Sequence, residues 1–129
     1  MFDFLSQKKP VFIWMPVVLW ASIIFILSVI PTAACLVTKI TFLDKISHFA
    51  AYAILAVFVV RAFSFARRFS LKKVYLFTLI LGGGYGTLIE LTQYFIPYRD
   101  ASIADGASNV FGLILGCYLT RLERLSWQK

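Results

Sequence analysis

Three groups of polar residues stand inside otherwise apolar sequence, each at helical spacing. They are Asp44, His48 and Tyr52; Glu90 and Gln93; and Asp105 and Asn109. Residues three or four apart are neighbours on one helix face, so each group forms a stripe. A carboxylate and an imidazole in apolar surroundings can exchange protons as general acid and base. Asp44, one turn before His48, is placed to orient its ring. Lys45 and Arg99 are cations suited to a phosphate or carboxylate, with Gln93 and Asn109 adding hydrogen bonds. Ser47, Ser102 and Ser108 lie near these stripes, but nothing in their setting marks any of them as a nucleophile. Asp44, His48, Glu90 and Asp105 could supply mixed metal ligands. With a single histidine that signal is weak, and neither a metal nor another cofactor is expected.

The elements that must carry these stripes are long. The sequence has 129 residues, 60% hydrophobic and only 15% charged, too apolar for a water-facing surface. Four apolar runs, about 11–30, 42–65, 71–96 and 103–119, are of a length to cross a hydrocarbon core about 30 Å thick. Barrel strands would be shorter and would alternate apolar with polar, which these do not. The expected fold is an all-α integral membrane bundle of four helices in a single domain, residues 1–129. Pro31 and Pro97 follow the first and third runs. Thr41-x-x-Asp44 and Ser102-x-x-Asp105 are capping-box patterns opening the second and fourth, so capping is an alternative role for both aspartates.

Ten of the thirteen basic residues fall on one side of such a bundle: Lys8, Lys9, Arg61, Arg67, Arg68, Lys72, Lys73, Arg121, Arg124 and Lys129. Only Lys39, Lys45 and Arg99 fall on the other. By the positive-inside rule both termini and the central loop are cytoplasmic, and the polar stripes lie near the outer surface. The net charge of +7 is then an orientation signal, and attraction to anionic lipids accounts for the basic cluster without nucleic acid. The first run is longer than a signal-peptide core, so it is expected to remain as a helix. Cys35 in an outer loop and Cys117 deep in the fourth helix are too far apart in depth to pair.

His48, Glu90 and Asn109 are each six residues from the outer end of their run, about 9 Å deep at 1.5 Å per residue. They are expected to form one layer. An ionised Glu90 in hydrocarbon is costly and needs a partner, water or a proton; His48, Gln93, Asn109 and Arg99 are its candidate partners. Gly82 with Gly86, and Gly112 with Gly116, are small-xxx-small pairs that let helix backbones approach closely. If the third and fourth helices pack through those faces, Glu90 and Asn109 point inward, though the sequence does not show which helices are adjacent.

From Ser28 to Gly116 the chain resembles the VanZ-like family. The resemblance rests on Asp44-Lys45-x-x-His48-Phe49-x-x-Tyr52, on Glu90-x-x-Gln93-x-Phe95, and on Arg99-x-x-Ser102-x-x-Asp105-x-x-x-Asn109-x-x-Gly112. It implies a multi-pass protein of the bacterial cytoplasmic membrane, in a family named for a member that raises resistance to the glycopeptide teicoplanin. It supplies no mechanism.

The reading preferred on these grounds is a non-enzymatic envelope protein. Its outer polar site would bind, or alter access to, a lipid-linked or cell-wall component. The alternative is an intramembrane enzyme acting on a lipid or lipid-phosphate, with Glu90 and His48 as acid–base groups. A proton relay through the same two residues, and a purely structural role for the glycine faces, stay open. The expected partners are the bilayer and such a ligand, not nucleic acid, and nothing in the sequence sets an oligomeric state.

Overall fold

The computed structural model describes residues 2–30, 41–65, 69–97 and 102–126, with side chains at 11–30, 43–65, 69–97 and 102–126. Four helices account for nearly all of them: α1 (Phe2–Val29), α2 (Thr41–Phe65), α3 (Leu71–Tyr94) and α4 (Ile103–Ser126). Each contains a stretch long and apolar enough to cross a membrane, from 19 residues in α1 to 24 in α3 and α4. At 1.5 Å per residue these reach roughly 28–36 Å, the thickness of a bilayer core. Their outward surfaces are covered by large apolar side chains, among them Leu19, Ile80, Leu88, Phe111 and Ile114. In lipid such residues are at no disadvantage when exposed.

The helices extend past the apolar runs where polar groups find partners. α4 runs on from 119 to Ser126, because Glu123 on that extension takes two hydrogen bonds from Arg61 Nη2 of α2, at 2.9 and 3.0 Å. α3 stops earlier, at Tyr94. There the Phe95 and Ile96 amides turn back to the carbonyls of Thr92 and Gln93, just before Pro97.

The side-chain pairings set the topology. His48 meets Asn109 and Arg61 meets Glu123, so α2 and α4 run parallel. Tyr85 donates to the Ala21 carbonyl at 2.6 Å and Gln93 to the Ser28 carbonyl at 3.3 Å, so α1 and α3 are parallel too. Trp20 of α1 donates to the Ala51 carbonyl of α2 at 2.9 Å. α2 is the central helix. Its Tyr52, Leu55, Ala56, Val59 and Val60 are buried with Ile24, Val74, Leu113 and Cys117.

The two glycine pairs pack on different neighbours. A β-carbon on Gly112 would strike the Phe49 carbonyl of α2, and one on Gly116 the Ala53 carbonyl. The second glycine face therefore lies on α2, where Ala53 and Ala56 present a small-residue surface, rather than on α3. Gly82 does face α4, through Leu113, while Gly86 lies beneath both Asn109 and Tyr52. Small residues allow close approach without choosing the neighbour. The partner with a small surface of its own became the close one.

Candidate functional site

The polar stripes converge at the end of the bundle where α2 and α4 begin and α3 finishes. α2 turns Asp44, His48 and Tyr52 inward on successive turns, and α4 does the same with Asp105 and Asn109. Because Gly112 holds the two backbones together one turn below, the side chains above meet directly. His48 Nδ1 is 3.1 Å from Asn109 Oδ1, Lys45 Nζ is 3.5 Å from Asp105 Oδ1, and His48 Nε2 is 3.8 Å from Asp44 Oδ1. The His48 and Asp105 side chains are only 10% and 7% exposed, whereas Lys45 reaches outward at 38%. An amide oxygen only accepts, so the His48 proton on this side sits on Nδ1.

Glu90 belongs to the same end but has an unexpected partner. Its Oε2 accepts the Ser102 backbone N–H at 3.2 Å, while Ser102 Oγ accepts the Ala104 N–H at 3.2 Å. Ser102 is thus the N-cap of α4. In a capping box Asp105 would reach back to the Ser102 amide, but here that amide donates to Glu90. Asp105 is turned to Lys45 and the α2 residues instead. The expected pairing of Glu90 with His48, Gln93 or Asn109 is not made. Its Oε1 is buried without a hydrogen bond, as are Asn109 Nδ2 and Tyr52 Oη nearby.

Two cavities flank the His48–Asn109 pair. On one side a cleft of about 240 Å³ opens between α1 and α2, with Trp20, Ile23, Ile24, Leu27 and Ala51 along it and Asp44, Ser47 and His48 at its end. On the other, a larger hollow of about 570 Å³ lies between α3 and α4, edged by Gly83, Gly86, Thr87, Glu90, Ser102 and Asn109. The layer is rich in negative charge. Among the described residues, three carboxylates (Asp44, Glu90, Asp105) face a single ammonium, that of Lys45.

Of the residues singled out in the sequence, Asp44, Lys45, His48, Asp105 and Asn109 form one contact group. Tyr52 lies directly below it, fully buried and 6.3 Å from the Tyr85 ring. Glu90 and Ser102 form a second pair on the α3–α4 side. Gln93 is buried but faces α1, so it stands apart. Arg99 lies outside the described residues, as do Cys35 and the Thr41 side chain. Asp44, His48 and Asp105 each offer a ligand atom within 4.8 Å of the others, and Glu90 is not part of that set. The serines are engaged as helix hydroxyls: Ser47 donates to the Leu43 carbonyl and Ser108 to the Ala104 carbonyl.

Sequence reasoning gave α1 no part in the site, yet α1 forms one wall of the cleft. Its links to α3 run through main-chain carbonyls, that of Ser28 holding Gln93 and that of Ala21 holding Tyr85. A backbone acceptor leaves no mark on residue type. The Ser102 amide, which holds Glu90, was invisible for the same reason.

Comparison with curated proteins gives no match, and neither does comparison with solved structures. A family model described as VanZ/LLP1 matches residues 4–124, a span that holds all the described spanning segments but the last two residues of α4 and includes every residue of the polar layer. With nearly its whole length matched, this four-helix membrane-type chain belongs to the VanZ family.

Proposed function

We propose that the chain binds a lipid-linked or cell-wall component at the outer face of the bacterial cytoplasmic membrane, with its apolar part between α1 and α2 and its polar head against Asp44, Ser47 and His48. The observation that carries this reading is the composition of the α1–α2 cleft: Trp20, Ile23, Ile24, Leu27 and Ala51 make it mainly apolar, and its charged and titratable groups, Asp44 and His48, are gathered at one end. At about 240 Å³ it is smaller than a typical small-molecule pocket of roughly 300–1,000 Å³, and it suits the segment next to the head rather than a whole lipid. The excess of basic residues at the opposite end supports an outward-facing polar layer. Occupancy of this cleft would also offer a route to altered antibiotic access, in keeping with a family named for a member that raises teicoplanin resistance.

Native mass spectrometry of the purified chain with a polyprenyl phosphate, a glycosylated polyprenyl lipid and an ordinary diacyl phospholipid tests the reading. Selective retention of one polyprenyl species, lost in Ala51→Phe, which fills the cleft, is the expected result. Equal retention of all three, or retention unchanged in Ala51→Phe, would count against it.

The enzymatic reading keeps one favourable observation: with Nδ1–H held by Asn109, His48 presents Nε2 as a base at the end of the α1–α2 cleft. Against it, no nucleophile stands beside that nitrogen among the described residues: Ser47 and Ser108 are tied to their own helices. Loss of turnover of a lipid phosphate in both His48→Gln and Glu90→Gln would restore it.

A further inference from the structure

We propose that Asp44, His48 and Asp105 form a binding site for one divalent transition-metal ion, Zn²⁺ or Mn²⁺. His48 Nε2 and Asp44 Oδ1 are 3.8 Å apart, beyond hydrogen-bond range. Two metal–ligand bonds of about 2.0–2.2 Å span that gap through a single ion. The third ligand atom, from Asp105, falls within 4.8 Å of the others. In a tetrahedral set the ligand atoms stand about 3.4 Å apart, so the Asp105 carboxylate moves by up to about an ångström to complete the set.

The histidine is also prepared in the way a metal ligand requires. Asn109 Oδ1 accepts from Nδ1, which fixes the tautomer and leaves the Nε2 lone pair facing the carboxylates. A ligating histidine ordinarily has its other ring N–H held by such an acceptor. With no cation present, that lone pair would face the Asp44 carboxylate, an unfavourable contact.

Asp105 supplies an independent observation. Its side chain is more than nine-tenths buried, and its Oδ1 receives no hydrogen bond. The Lys45 ammonium stands 3.5 Å away, longer than a charge-assisted hydrogen bond of about 2.7–2.9 Å. Removing a carboxylate this far from water is costly unless a cation stabilises it. Lys45 does so only partly, and its exposure leaves it free to swing outward when an ion enters. Two carboxylates then neutralise a divalent ion, while the Ser102 cap leaves Glu90 out of the ligand set.

The ligand set selects the metal. One imidazole nitrogen with two carboxylate oxygens is too poor in oxygen for Ca²⁺, which takes six to eight, and the nitrogen disfavours Mg²⁺. Three protein ligands leave at least one coordination position open. Because Asp44 and His48 both line the α1–α2 cleft, that position is reachable from it. The ion's binding does not depend on any lipid.

The chain, purified in detergent with an affinity tag free of histidine, is stripped with chelator, exposed to ZnCl₂ or MnCl₂, desalted and assayed by elemental mass spectrometry. The expected result is about one equivalent of one of the two ions, falling at least tenfold in Asp44→Asn and Asp105→Asn and unchanged in Glu123→Gln at the other end of the bundle. Each variant is checked for monodispersity and helical content. X-ray absorption of the loaded parent chain, which needs no variant, should show nitrogen and oxygen neighbours at about 2.0–2.2 Å. Failure to retain either ion, retention that survives Asp105→Asn, or a sulfur neighbour would overturn the proposal. Metal retention without selective lipid retention would leave this site standing and remove only the lipid reading.

Discussion

His48 Nδ1 and Asn109 Oδ1 meet at 3.1 Å although the residues are 61 positions apart in the chain, which makes this pair a direct measure of how α2 engages α4. Interhelical hydrogen bonds in membrane bundles average about 0.6 kcal/mol in double-mutant cycles, with an upper range near 1.7. A cycle of His48→Ala and Asn109→Ala, read by thermal unfolding in detergent, should give a coupling within that range. Strict additivity would mean that the two side chains do not interact in solution.

The two kinds of glycine in α4 should respond oppositely to alanine. Gly112→Ala and Gly116→Ala drive a methyl group into α2 carbonyls and should each destabilise by about 1–3 kcal/mol. Gly106 has open space around its missing side chain, and Gly106→Ala should be neutral or stabilising by up to about 1 kcal/mol through helix propensity. Thermal unfolding of the three variants side by side checks the contrast.

Glu90 acts on the start of α4 through one carboxylate oxygen. Glu90→Gln keeps an acceptor for the Ser102 amide and should change stability little, whereas Glu90→Ala should cost about 1–2 kcal/mol. Hydrogen exchange at the first turn of α4 should rise in the alanine variant alone. Equal exchange in both would remove Glu90 from the capping role.

At the other end, Arg61 and Glu123 are 59% and 46% exposed, so their paired hydrogen bonds should contribute at most about 1 kcal/mol. Glu123→Gln should leave the unfolding midpoint nearly unchanged. A large drop would mean that this pair is shielded from water in the folded protein.

Orientation is open to a direct test. Single cysteines at positions 41, 70 and 101, in a chain lacking Cys35 and Cys117, should react with a membrane-impermeant reagent in intact cells at 41 and 101 but not at 70. The reverse pattern would put the polar layer on the cytoplasmic side and redirect the search for its ligand.

The helices and the meeting of His48 with Asn109 were legible because both depend on periodicity and length. Asp44, His48 and Tyr52 lie four apart and could only share a face, and counting from the helix ends placed His48 and Asn109 in one layer. Which faces met was not legible. Gly112 and Gly116 mark a close approach but not its partner, and the choice of α2 came from Ala53 and Ala56 acting together with the glycines. The partners of Glu90 and Gln93 are a backbone amide and a backbone carbonyl, and every residue type carries those. Asp105 shows the same limit in reverse: its capping-box spacing suggested a local bond that the Ser102 amide makes elsewhere.

The close packing of α2 on α4 has a consequence for biogenesis. During synthesis α2 enters the membrane well before α4 exists, and α3 must be threaded between these two events. Until the last helix is delivered, His48 has no Asn109, Asp105 cannot meet Lys45, and the Ser102 amide that holds Glu90 has not emerged. His48 on α2 and Glu90 on α3 therefore acquire these partners only with the last helix, which acts as the keystone that closes the layer.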